Sequence, residues 1–133
     1  MVVASGPAGF TARGALRSAA WFAAAGVALS AAKLFTGFRL PCPWRAVTGT
    51  LCPLCGSTTL GTHLLRGDVA AAWASNPFVF VLLTLGVLAS LAWVVEAAGG
   101  PALRPPRAVR SPRLWWTVLG VAALGFMLWR NLP

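Results

Sequence analysis

Acidic side chains are almost absent from this sequence. Asp68 and Glu96 are the only two among 133 residues, against eleven lysines and arginines, and the formal net charge is +9. Two carboxylates, both beside predicted helix ends, are too few for ordinary acid–base catalysis, so we expect no enzyme and assign no catalytic residue. Such a basic balance can indicate nucleic-acid binding, but here the basic residues border apolar segments, so no nucleic-acid partner is expected.

Charge of either sign is scarce as well. Only 10% of the residues are charged and 58% are hydrophobic, whereas an ordinary soluble domain is about 25% charged. This composition excludes a conventional soluble core and predicts an all-α membrane protein with the lipid bilayer as its surroundings. Phosphate loops, H-E-x-x-H and Ser/His/Asp arrangements are also missing from the sequence.

Three apolar runs are long enough, or nearly so, to cross a bilayer of about 30 Å. They cover residues 19–38, 77–98 and 114–130 of a single membrane domain, 1–133. We expect a disordered start at 1–14, a Cys-Pro loop at 39–59, short interfacial helices at 60–75 and a basic connector at 99–113. Lys33 interrupts the first run near its end, where it can snorkel to the headgroups. A signal peptide cleaved after Ala28-Leu29-Ser30 remains an alternative for this run.

The segment 60–75 is too polar to span. Thr59, Thr62, His63 and Arg66 share one helical stripe, with Leu60, Leu64 and Leu65 opposite, so we expect an interfacial helix with a polar face. Gly67 then breaks this helix, and Asp68 is a good N-cap for a second one. Asn76-Pro77 is a cap followed by proline at the first helical position, which starts the second span.

Arginines predict the orientation. Arg13 and Arg17 precede the first span, and Arg104, Arg107, Arg110 and Arg113 lie between the second and third. Fewer basic residues flank the other ends of the spans. Because cytoplasmic loops carry the excess of lysine and arginine, the N-terminus is predicted in the cytoplasm and the cysteine loop outside.

All three cysteines fall within one short stretch, Cys42 to Cys55, among prolines and glycines that commit the backbone to turns. Together with later positions, this stretch resembles the bacterial domain-of-unknown-function 2752 family, a family of small membrane proteins. The motif positions are Cys42, Pro43, Thr48, Gly49, Cys52, Pro53, Cys55, Gly56, Thr58, Gly67, Asp68, Asn76 and Pro77. The resemblance implies a bacterial cytoplasmic membrane but no reaction. Thr59 stands where the family pattern has arginine.

Several kinds of chemistry are open to the cysteines. Cys52-Pro53-Leu54-Cys55 precedes a predicted helix, whose N-terminus would lower a thiol pKa and favour thiol–disulfide exchange. The three thiolates could instead bind Zn²⁺, with His63 as a candidate for the fourth ligand. Two interpretations remain. Cys42 could form a structural disulfide with Cys52 or Cys55, or the thiols could be reduced and buried.

The expected function is a non-catalytic one. We interpret the chain as a small integral membrane protein whose structural cysteine loop binds a partner, such as another membrane or envelope protein, without a cofactor. The alternative is a thiol-redox or zinc-binding membrane protein acting through Cys42, Cys52 and Cys55.

Overall fold

The fold consists of six helices in the computed structural model, which describes residues 10–102 and 111–133. In chain order they are α1 (Ala12–Thr36), α2 (Pro43–Thr48), α3 (Ser57–Leu65), α4 (Val69–Ser75), α5 (Pro77–Ala97) and α6 (Pro112–Asn131). Strands are absent from the described residues. The expected all-α class is therefore confirmed, with the cysteine segment between the first two long helices.

Three of these helices, α1, α5 and α6, are long and apolar enough to cross a membrane. Helix α5 agrees with the predicted span 77–98 to within one residue. Helix α6 has 20 residues, more than the predicted 114–130, because Pro112 takes the first helical position after Ser111. At 1.5 Å per residue α6 reaches about 30 Å, which matches the bilayer core.

Helix α1 begins earlier than predicted. The Oγ1 of Thr11 accepts a hydrogen bond from the Gly14 amide, so the helix starts at Ala12 and residues 12–14 are not disordered. The helix ends at Thr36 instead of residue 38, because Gly37 adopts φ 71° and its amide bonds to the Lys33 carbonyl. The rest of the predicted disordered start, 1–9, lies outside the described residues, as do residues 103–110 of the basic connector.

The predicted loop 39–59 contains a helix that the sequence interpretation missed. Helix α2 has Pro43 at its first position, and Gly49 follows its last residue with φ 71°. Proline at the start and glycine after the end are the usual limits of a helix. The prediction of a continuous loop is wrong at this point, because proline and glycine favour turns as well as helix ends.

The small core lies where the short helices pack against the long ones. Leu60 of α3 and Ala72 of α4 are buried, and Ser30 of α1 is buried beside Gly61 of α3. A Cβ at Gly61 would collide with the Ser30 side chain, so glycine permits the close approach of α1 and α3. Packing in this core holds the short helices α3 and α4 against the long helices α1 and α5.

One position of the predicted polar face of α3 differs from the expectation. Thr62, expected on the polar stripe, is buried, while Leu60 on the opposite side is buried as well and Leu64 and Leu65 are exposed. Thr62 can be buried because its hydroxyl donates to the Thr59 carbonyl at 2.6 Å, which satisfies the polar group within the helix.

Candidate functional site

The three thiols converge at one end of the helical bundle. The Sγ atoms of Cys52 and Cys55 are 3.0 Å apart, and those of Cys42 and Cys52 are 3.4 Å apart. All three sulfurs lie within 4.8 Å of one another. Each thiol is partly exposed, and each is free in the described chain, which contains every cysteine of the sequence. The three cysteines, which are up to 13 residues apart in the sequence, therefore form one cluster in the folded chain.

Backbone turns bring the thiols together. The amide of Cys55 bonds to the Cys52 carbonyl at 3.0 Å, which closes a tight turn through Pro53 and Leu54. Helix α2 then places Cys42 next to this turn, since Gly49 reverses the chain after the helix. The hydroxyl of Thr48 lies 2.8 Å from that of Thr50, which accepts a hydrogen bond from the Trp44 indole at 3.0 Å. These local hydrogen bonds fix the part of the loop that follows α2.

Asn76 is the first of two clamps on this loop. It is the N-cap of α5 and is fully buried. Its Oδ1 accepts from the Val79 amide at 3.0 Å, while its Nδ2 donates to the carbonyls of Pro53 and Cys55 at 2.8 and 3.1 Å. The sequence predicted the cap and did not predict the two bonds to the cysteine turn.

The end of α6 forms the second clamp. Asn131 brackets Leu51: its Oδ1 accepts from the Leu51 amide at 2.8 Å and its Nδ2 donates to the Leu51 carbonyl at 2.9 Å. Arg130 donates to the Cys55 carbonyl at 2.8 Å, and its guanidinium lies 5.4 Å from the centre of the Phe126 ring. Sequence reasoning missed both residues as site residues, because a basic residue at the end of a span is also expected as an interfacial anchor.

Lys33 adds a contact from α1. Its ammonium donates a hydrogen bond to the Thr59 hydroxyl. The side chain thus reaches α3 instead of snorkelling freely to the headgroups. A cation from another helix therefore meets the first turn of α3 at Thr59.

Several of the motif positions lie at the limits of helices and turns. Asp68 caps α4 by accepting from the Ala71 amide at 2.9 Å, and this confirms the predicted helix start. Gly56 and Gly67 have φ of 97° and 74°, a region that side-chain-bearing residues rarely adopt. The remaining positions have helical or turn roles: Pro43 and Pro77 begin helices, Pro53 lies in the cysteine turn, and Thr58 lies in the first turn of α3.

The thiols of Cys42 and Cys52 differ in acidity. The amide of Arg45, in the first turn of α2, lowers the pKa of Cys42, and the neighbouring thiols of Cys52 and Cys55 lower it further. The side chain of Cys42 makes no capping hydrogen bond to α2, a helix that is described in full. The Arg45 amide therefore lowers the pKa by stabilising the thiolate form of Cys42. Burial raises the pKa of Cys52 to about 11, with both neighbouring thiols adding to the shift.

A metal ion could be held by these three residues. Among the described residues they form the one group of three potential metal ligands, and His63 lies outside it. His63 is in the last turn of α3, so the helix carries it away from the cysteine turn that precedes α3.

Fold and site together define a small multi-pass α-helical membrane protein with a three-thiol loop. A family model described as a protein of unknown function (DUF2752) matches residues 42–90, which confirms the resemblance expected from the cysteine motif. The match covers the loop, α3, α4 and most of α5, and it leaves out α1 and α6. No curated protein matches the chain, and no solved structure does either.

Proposed function

We propose that this chain is a non-catalytic protein of a bacterial cytoplasmic membrane whose cysteine loop presents a fixed surface to a protein partner. The observation that carries the proposal is the double clamp. Side chains of Asn76 and Asn131, 55 residues apart in the sequence, bond to adjacent parts of one loop. A loop held from two spans keeps its shape before a partner arrives, and this lowers the ordering cost of binding.

The positions of the carboxylates support a non-catalytic role. Asp68 is engaged as the cap of α4, and Glu96 lies near the C-terminal end of α5. Asn76, which touches the loop, caps the opposite end of α5, so about 30 Å of helix separates Glu96 from it. Neither carboxylate is placed to exchange protons with the thiols.

The proposed contact surface consists of Trp44, Val47 and Leu54. These apolar side chains are 48%, 86% and 59% exposed, and they lie on α2 and on the cysteine turn. Tryptophan is enriched among the residues that anchor interfaces, and exposed apolar side chains grouped beside it are typical of an interaction site. The partner is another membrane or envelope protein, since the loop lies at the ends of membrane-spanning helices.

Site-specific photocrosslinking in cells tests this proposal. A photoreactive residue at Val47 or Leu54 is expected to give the same discrete protein adduct, and a residue at Val87, similarly exposed on α5, should not give it. The adduct should also disappear when Asn76→Asp releases the clamp. Adducts with lipid alone, or an adduct that survives the release of the clamp, would contradict the proposal.

The orientation belongs to the same proposal: the N-terminus is cytoplasmic and the loop is outside. The arginines of the N-terminal segment and of the connector support it. An impermeant thiol reagent should label the reduced cysteines in intact cells. Protection of all three thiols until the membrane is opened would reverse the assignment.

Thiol–disulfide exchange is a second candidate, favoured by the sulfur distances and by the opposite pKa shifts of Cys42 and Cys52. The Cys42 thiolate would attack a partner disulfide and release one partner thiol. Cys52 would then attack Cys42, release the second partner thiol and leave a Cys42–Cys52 disulfide. A Cys52→Ser variant should then accumulate a mixed disulfide through Cys42. Absence of this species in reduced, folded protein would exclude the candidate.

A further inference from the structure

We propose that Cys42, Cys52 and Cys55 bind one thiophilic metal ion through three thiolates. The ion is either Zn²⁺, with one coordination position left for an external ligand, or Cu⁺, which three thiolates satisfy. This inference goes beyond the proposed partner surface and does not depend on it. Both ions prefer thiolate ligands, and they differ in the number of ligands they require.

The sulfur positions fit such an ion with small movements. A tetrahedral ion with bonds of about 2.3 Å needs sulfurs about 3.8 Å apart. The Cys52–Cys55 and Cys42–Cys52 sulfur separations are 3.0 and 3.4 Å, and all three sulfurs lie within 4.8 Å. Each pair needs to shift by about an ångström or less, which side-chain rotation alone can provide.

The backbone around the ligands is already fixed. The carbonyls of Leu51, Pro53 and Cys55, which lie next to or within the ligand turn, all accept hydrogen bonds from the clamp side chains. The Cys52 amide lies 3.3 Å from the Cys55 sulfur and donates to it. Hydrogen bonds to ligands and to their supports orient a metal site and increase its affinity.

Charge also favours the complex. Three thiolates with Zn²⁺ carry a net charge of −1, and with Cu⁺ a net charge of −2. The guanidinium of Arg130 is anchored on the Cys55 carbonyl, so a positive charge lies beside the ligand turn. The two acidic side chains of the sequence are Asp68, which caps α4, and Glu96, near the far end of α5. An anionic metal–thiolate centre therefore has a cationic neighbour.

The external position follows from the ligand set. Among residues 10–102 and 111–133, which include every Cys, His, Asp and Glu of the sequence, the cluster contains the three cysteines alone. Zn²⁺ takes four ligands, so the fourth comes from water or from another molecule. The partly exposed thiols leave the site accessible to such a ligand.

Metal loading of the full chain in detergent micelles tests the proposal. The protein is reduced, freed of reductant, and titrated anaerobically with zinc chloride in one arm and acetonitrile-stabilised Cu⁺ in the other. We expect one equivalent to resist a weak competing chelator in at least one arm. Co²⁺ should give thiolate-to-metal charge-transfer absorption. Because Cu⁺ generally binds thiolates more tightly than Zn²⁺, retention of one Zn²⁺ against the chelator supports the zinc form, and retention of Cu⁺ alone supports the copper form.

Two variants and one measurement on the unmodified protein decide the outcome. Cys52→Ser should lower the affinity by at least about tenfold, and His63→Ala, the matched control outside the cluster, should leave it unchanged. Bound metal should protect all three thiols of the wild-type protein from alkylation, and a strong chelator should expose them. This readout remains valid if Cys52→Ser does not fold.

Three results would overturn the inference. In the first, fully reduced protein binds no stoichiometric ion in either arm. In the second, the ion binds without protecting the cysteines, which indicates an adventitious ion only. In the third, His63→Ala weakens binding as much as Cys52→Ser, and the site is then closed by histidine without an external position.

Discussion

Asn76 caps α5 with its Oδ1 and holds the cysteine turn with its Nδ2. Two substitutions at this position can therefore distinguish the helix cap from the loop clamp. Asn76→Ala removes the cap, worth about 1 kcal/mol, and two donated hydrogen bonds worth about 0.5–1.5 kcal/mol each. The residue is fully buried, so water cannot replace the lost partners. We expect a loss of about 2–4 kcal/mol in the free energy of unfolding, more than the cap alone.

Asn76→Asp isolates the clamp. An aspartate cap can still accept from the Val79 amide, since aspartate and asparagine are about equally good caps. Its second oxygen faces the carbonyls of Pro53 and Cys55, where the wild-type amide donates. The substitution therefore replaces two attractive contacts with repulsive ones, and we expect a destabilisation close to that of Asn76→Ala.

Denaturant titration in micelles, followed by tryptophan fluorescence, measures both variants, and the alkylation rate of Cys55 reports the opening of the loop. Asp68→Asn is the matched control, because Asp68 caps α4 and is exposed. The substitution Asp68→Asn should change the free energy of unfolding by less than about 0.5 kcal/mol. If Asn76→Asp were as stable as the wild type, with an unchanged rate at Cys55, the clamp would be refuted.

Two further predictions concern packing and thiol acidity. Gly61→Ala should destabilise the protein by about 1–3 kcal/mol, because the new Cβ would lie 2.9 Å from the Ser30 Cβ. Adding Ser30→Gly should restore the stability, whereas the control Gly86→Ala, which has open space around it, should not destabilise the protein. Thermal denaturation of the three variants measures these effects. In metal-free protein, Cys42 should be alkylated at lower pH than Cys52, since a pKa of about 11 leaves about one Cys52 in a thousand as thiolate at pH 8. Equal pH profiles for the two peptides by mass spectrometry would contradict the assigned environments.

Sequence reasoning was most successful where the signal is local. The start of α5 at Asn76-Pro77 and the cap at Asp68 depend on a few neighbouring residues, and both were predicted correctly. The spans followed from apolar length, which the bilayer thickness sets. Helix α2 was missed although its signals are also local, because proline and glycine limit helices as well as loops.

The clamps could not be predicted, because they join distant parts of the chain. Asn131 meets Leu51 across 80 residues and Arg130 meets Cys55 across 75. Nothing in the composition around Asn131 distinguishes a side chain that binds a loop from one that faces water at a helix end. Lys33 posed the same problem, since snorkelling and a bond to Thr59 both follow from a lysine near the end of a span.

The contact between Asn131 and Leu51 also constrains how the chain crosses the bilayer. Leu51 precedes α5 and Asn131 ends α6, and hydrogen bonds of 2.8 and 2.9 Å require both to lie on the same side of the membrane. An even number of crossings must therefore separate them. Helices α5 and α6 supply two, whereas an α6 that failed to cross would leave Asn131 about 30 Å from the loop. Because α5 crosses the membrane, the clamp indicates that α6 crosses it as well, and this inference does not use the hydropathy of α6.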